Sequence, residues 1–147
     1  MATGLESTAE APIGPAIIAT QYGVEERLPF AGELEFFRSN PFVAGMAAED
    51  GRIVMNPFSR LTPQEMQSVR LNEAARVIMG RWQMPKFAIT DAQKQFLDST
   101  MYKNAPPESR AATIAARLIS GDPSAGTATP EQNMYVNALR RQMGLAQ

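Results

Sequence analysis

The chain has 147 residues, 44% hydrophobic and 20% charged, with 14 basic and 15 acidic side chains and a formal net charge of −1. That length suits one domain burying about two-thirds of the surface its unfolded chain exposes, and the near-neutral charge points to neither nucleic acid nor a membrane surface. There is no cysteine and no histidine, which excludes disulfides, thiol chemistry, histidine-based triads and the usual zinc, copper and haem ligand sets. The D-x-D-x-D-G loop of an all-oxygen cation site is absent as well. No cofactor, no metal and no enzymatic activity are expected. No apolar run reaches the roughly 18 residues of a membrane span, and no basic-then-apolar start suggests a signal peptide.

The first 30 residues read differently from the rest. Pro12 and Pro15, with Gly14 between them, preclude a helix and favour an extended conformation. A disordered tail is poor in large apolar groups, yet this stretch carries Ile13, Ile17, Ile18, Tyr22, Val24, Leu28 and Phe30. Residues 1–30 are therefore expected to form an extended arm. Ile13, Ile17, Ile18, Tyr22, Leu28 and Phe30 would be its partner-binding residues on another subunit. Its removal is expected to leave a folded body.

Residues 31–147 are expected to form a single small helical domain. A short helix over residues 32–38 stops before Pro41. A β-hairpin follows near residues 43–55, turning at Asp50-Gly51. Three capping boxes then mark helix starts, at Thr62-Pro63-Gln64-Glu65, Thr90-Asp91-Ala92-Gln93 and Thr129-Pro130-Glu131-Gln132. A further helix opens near Pro106-Pro107 and ends at Gly121. The helix over residues 63–80 is apolar on two sides, which makes it the central one. In the helix after Pro107, Arg110, Thr113 and Arg117 would face away from the apolar stripe. The last helix is expected to bury Met134, Tyr135, Ala138 and Leu139. The fold class that results is mainly α (α+β): about five helices around a central helix, one β-hairpin and an extended N-terminal arm.

Glu73 lies between Val69 and Val77 at helical spacing, with Arg70 and Arg76 three residues to either side. The simplest reading is a structural ion pair of Arg70, Glu73 and Arg76. Residues 120–126, Ser-Gly-Asp-Pro-Ser-Ala-Gly, lack the lysine of a phosphate loop and read as a connection between helices. The basic residues form no stripe with interleaved aromatics, so nucleic acid is not an expected partner.

Two resemblances bear on function. Phe36-Phe37-Arg38-Ser39-Asn40-Pro41, Asn56-Pro57-Phe58-Ser59, Asn72-Glu73-Ala74-Ala75-Arg76 and Ile119-Ser120-Gly121-Asp122-Pro123-Ser124-Ala125-Gly126 together resemble a family of small proteins of tailed bacteriophages, over about residues 33–136. That resemblance implies a virion component and supplies no catalytic residue. Gly51-Arg52-Ile53-Val54-Met55-Asn56-Pro57 followed by Asn72-Glu73-Ala74-Ala75-Arg76 resembles the strand and helix that open small zinc metallopeptidases. Asn72 and Arg76 stand where those enzymes carry the two histidines of His-Glu-x-x-His. The expected function is a non-enzymatic structural or assembly protein of a tailed-phage particle, located in the virion. Such a protein would be a cement, head–tail adaptor, tail or ejected internal protein that binds other virion proteins or itself. The alternative is a catalytically dead, peptidase-like binding or regulatory module in the cytoplasm.

Overall fold

The computed structural model describes residues 16–145, which form five α-helices, four short strands and one 3-10 turn. The fold is α+β and mainly helical. β1 (Ile17–Gln21) and β2 (Val24–Arg27) make an antiparallel hairpin. Its two-residue turn holds Tyr22 at φ 57° and Gly23 at φ 79°, the signature of a type I′ turn, whose twist matches that of the flanking strands. A tyrosine in the left-handed region is costly without support. Here its hydroxyl accepts a 2.7 Å hydrogen bond from Gln67 and its ring packs on the core.

After α1 (Ala31–Ser39) come β3 (Gly45–Ala47) and β4 (Ile53–Met55). Gly51, at φ 80°, ends the turn between them, and Asp50 accepts from the Arg52 N–H. β4 pairs antiparallel with β3 and parallel with β2, giving the sheet order β1-β2-β4-β3. α2 (Pro63–Arg81), α3 (Asp91–Asp98), α4 (Pro107–Ser120) and α5 (Pro130–Gln142) follow, with the 3-10 turn Pro123–Ala125 between the last two. The capping boxes at Thr62, Thr90 and Thr129 all form, and Gly121 terminates α4 at φ 76°.

α2 packs against β3 and β4 on one side and against α4 and α5 on the other, as an apolar surface on two sides requires. Val24, Ile53, Ala74, Ala75, Ile78, Ile114, Ala115 and Leu139 belong to the continuous core that results.

Three expectations are corrected. Residues 17–27 are a hairpin of the body's own sheet rather than an arm beside it, because β2 pairs with β4 and Val24 is buried in the core. Thr113 does not face solvent. It is fully buried, its hydroxyl donating to the Ser109 carbonyl and accepting from Arg76. Met134 is exposed instead of buried, and Gln132 and Val136 take the inner face of α5.

Candidate functional site

Charged residues fix β2 in place. Arg27 is 3% exposed and meets both carboxylate oxygens of Glu33, at 2.8 and 3.0 Å, and Asp50 at 2.8 Å. Its guanidinium also lies 4.2 Å from the centre of the Phe30 ring. Glu26, next to it, pairs at 2.7 Å with Arg70. These bonds tie β2 to α1, to the β3–β4 turn and to α2. Alternation sends these adjacent side chains to opposite faces of β2, and both are buried and partnered there, as burial of a charge demands.

The other edge of the sheet is open. Ala48 N–H donates to Arg52 and Asn56 N–H to Ala44, and Met46 lies opposite Val54. In an antiparallel pair the intervening residues turn their backbone groups away from the partner strand. The N–H and C=O groups of Gly45 and Ala47 therefore point outward from β3, where the Ala47 N–H is taken by the Glu73 carboxylate and the other three face the groove. The start of this edge is fixed by buried Asn56, whose amide donates to the Val43 carbonyl at 2.7 Å while its carbonyl accepts from the Phe58 N–H.

A groove of about 880 Å³ runs along that edge. β3 and its approach form one wall. Glu65, Ser68, Val69, Asn72, Glu73 and Arg76 of α2 form the floor, and the end of α4 with Arg117, Ser120, Gly121 and Asp122 forms the far side. Phe36 and Met101, both large and exposed, stand at its rim. Gly45 is where the strand comes closest to the helix. A Cβ there would lie 3.0 Å from the Met55 sulfur and 3.2 Å from Val69 Cγ1.

Glu73 is the desolvated acid of this groove. Burial pushes its carboxyl above the ordinary glutamate range, and Arg76, the Ala47 N–H and Arg117 oppose that shift. The expected triplet is corrected on one side: Arg70 turns to Glu26 and makes no pair with Glu73. Arg76 does approach Glu73, at 3.9 Å. Its guanidinium is bonded elsewhere, to Asn72 at 3.2 Å and Thr113 at 3.4 Å, and lies over the Tyr102 ring. Arg117 is bonded through Nη1 to Asp122 and Ser124, while its buried Nε has no partner among the described residues. Among the described residues no hydroxyl is hydrogen-bonded to Glu73, so the groove shows no nucleophile held against a base. No group of three acidic side chains converges there on a metal-sized point either.

Of the residues read as partner-binding, Ile13 lies outside the described residues. Ile17, Ile18, Leu28 and Phe30 are exposed, at 42, 52, 48 and 43%. They gather at the open end of the β1–β2 hairpin, where Ile17 pairs with Arg27 and the Leu28 N–H reaches the Ala16 carbonyl. Tyr22 sits at the opposite end, half-buried in the turn. This apolar strip borders β1, the sheet edge farthest from the groove.

Sequence reasoning missed the open edge at Gly45 and Ala47. The available signal was a Gly-Met-Ala strand without a β-branched residue, whose small side chains let α2 lie close beneath it. No helix among the described residues is long and apolar enough to cross a membrane. Comparison with protein-family models, with characterised proteins and with solved structures returns no match.

Proposed function

We propose that this chain is a non-enzymatic protein-binding module whose groove takes an extended segment of a partner chain as a further strand on β3. The observation that carries this reading is the open edge itself: the outward N–H and C=O of Gly45 and the outward C=O of Ala47, set above a groove with an apolar rim. Strand addition draws affinity from main-chain hydrogen bonds and specificity from pockets for alternate side chains. β3 is only three residues long, so the rim at Phe36 and Met101 must supply much of the holding.

The resemblance to tailed-phage proteins makes the partner a neighbouring virion protein and the role structural or assembly-related. The exposed strip on the opposite edge of the sheet favours that role, since a subunit placed between neighbours needs two separate faces. One observation favours a peptidase-like regulator instead: β4 leads into α2, and Asn72, Glu73 and Arg76 line the groove beside an edge strand. Mass spectrometry of purified particles separates these two settings.

Selection of random dodecapeptides against the immobilised protein tests the groove. Selected peptides should perturb the amide resonances of Gly45 and Ala47 before others. Selection of nothing, or of peptides that leave those two amides unmoved, overturns the reading.

A further inference from the structure

Resting on the groove reading above, we propose that Glu73 is the specificity residue of the groove and that the docked strand presents a lysine or arginine to it.

Side-chain direction decides which docked residue faces Glu73. The position of a Cβ at Gly45, against Val69, shows which face of β3 looks onto α2. Side chains alternate along a strand, so Ala47 looks onto α2 as well, and it packs against the core there. On an added strand, the residue opposite Ala47 shares that face, with Cβ atoms about 5 Å apart. It points down to α2 beside Glu73, whose carboxylate gives up the Ala47 N–H to the added strand. The residue opposite Gly45, two positions along, meets Val69 and has an apolar requirement. The recognition pattern is a basic residue and an apolar residue on one face, separated by one position.

Charge decides the sign. A carboxylate has about four acceptor sites. Once the added strand takes the Ala47 N–H, Glu73 keeps only a guanidinium at 3.9 Å that is already bonded to Asn72 and Thr113. The groove lining carries three acids, Glu65, Glu73 and Asp122, against two bases, Arg76 and Arg117. Asp122 and Arg117 close on each other, which leaves the excess negative. A cationic side chain entering at Ala47 meets a largely desolvated anion with acceptor capacity to spare, and an acidic one meets repulsion.

The test uses three fluorescein-labelled peptides of the form acetyl-Thr-Val-Thr-X-Thr-Val-Thr-amide, with X as lysine, norleucine or glutamate. Valine on both sides of X serves either strand direction. A charge-assisted hydrogen bond predicts that the full chain binds the lysine peptide about 10-fold more tightly than the norleucine peptide, with the glutamate peptide weakest. Within Glu73→Gln the lysine-to-norleucine ratio should fall to near one. In the unaltered protein it should also fall as the pH is lowered to about 4, below the ordinary glutamate value, because burial raises the Glu73 carboxyl above that value and it is then protonated while the peptide lysine keeps its charge. Norleucine and lysine peptides that bind the unaltered protein equally, while perturbing Gly45 and Ala47, overturn the assignment to Glu73 and leave the groove standing. Failure of all three peptides to bind overturns both.

Discussion

At Glu73 burial outweighs the partners, and the direction of the shift that results fixes what this carboxyl does to stability. The groups that face it are Arg76 on its own helix, Arg117 on α4 and the Ala47 N–H on β3, and burial outweighs them. A carboxyl raised in the folded state takes up protons on folding. Its cost is fully present above its folded pKa and is relieved as the pH falls towards the ordinary glutamate value. Glu73→Gln should therefore melt higher than the unaltered protein at neutral pH, and the difference should shrink to nothing near pH 4, about where an unburied glutamate protonates. A lower melting temperature at pH 7 would return Glu73 to the role of structural ion pair. Glu33 behaves oppositely. The Arg27 hydrogen bonds hold its carboxyl below the ordinary range, so its contribution is present at neutral pH and is lost in acid. From sequence the Arg70, Glu73 and Arg76 spacing was legible, but the competing claim of Glu26 on Arg70 was not, because the two lie 44 residues apart and meet only through the sheet.

At the scale of elements, every helix start marked by a capping box was legible, because a cap is local chemistry. What two caps do to each other was not. Gln93 and Gln132, each the third residue of its helix, are fully buried and exchange amide hydrogen bonds at 2.9 and 2.8 Å. Each carbonyl also accepts its own N-cap N–H, and the remaining amide hydrogens go to the Ala125 and Ala88 carbonyls. Both amides are satisfied, so α3, α5 and their connections lock as one unit. Gln93→Ala strands several buried groups, and at about 1–3 kcal/mol for each uncompensated group it should cost roughly 2–4 kcal/mol in urea unfolding. A cost below about 0.5 kcal/mol, the range of ordinary surface changes, would show that water replaces the lost partner. The edge strand offers a second measurement. Gly45→Ala places a methyl against Met55, Val54 and Val69, and overpacking of this kind costs about 1–3 kcal/mol. Unfolding with an unchanged midpoint would mean that β3 does not lie tightly on α2. The β1–β2 hairpin escaped the sequence because Tyr22 replaces the asparagine or aspartate that usually announces a type I′ turn. Its left-handed backbone is supported by Gln67, a residue 45 positions away.

For the molecule as a whole, the question is where the body begins. Proline spacing and a composition shift placed the boundary at Ala31, and by that reading residues 1–30 could be removed without harm to the rest. The pairing of β2 with β4 argues otherwise. β2 lies inside the sheet, and without it Ile53 and Val54 of β4 lose their cover on one side. Val24 alone accounts for about 1.5–3 kcal/mol of apolar burial. Loss of Glu26 leaves Arg70 unpaired, and loss of Arg27 leaves Glu33 and Asp50 without their shared cation. Breaking a buried pair from one side costs about 3–5 kcal/mol where the partner stays desolvated. Single domains hold only about 5–15 kcal/mol in total, so these losses together reach the scale of the whole fold. Deletion of residues 1–30 should therefore abolish cooperative thermal unfolding and collapse the dispersion of amide resonances. A deleted chain that melts cooperatively, within a few degrees of the full one, would restore the independent arm and place the core wholly within α2, α4 and α5. Unfolding of that deleted chain would in turn show that its failure to join an assembly says nothing about Ile17, Ile18, Leu28 and Phe30. That strip has to be probed by surface substitutions such as Ile18→Ser, which leave Val24, Glu26 and Arg27 in place.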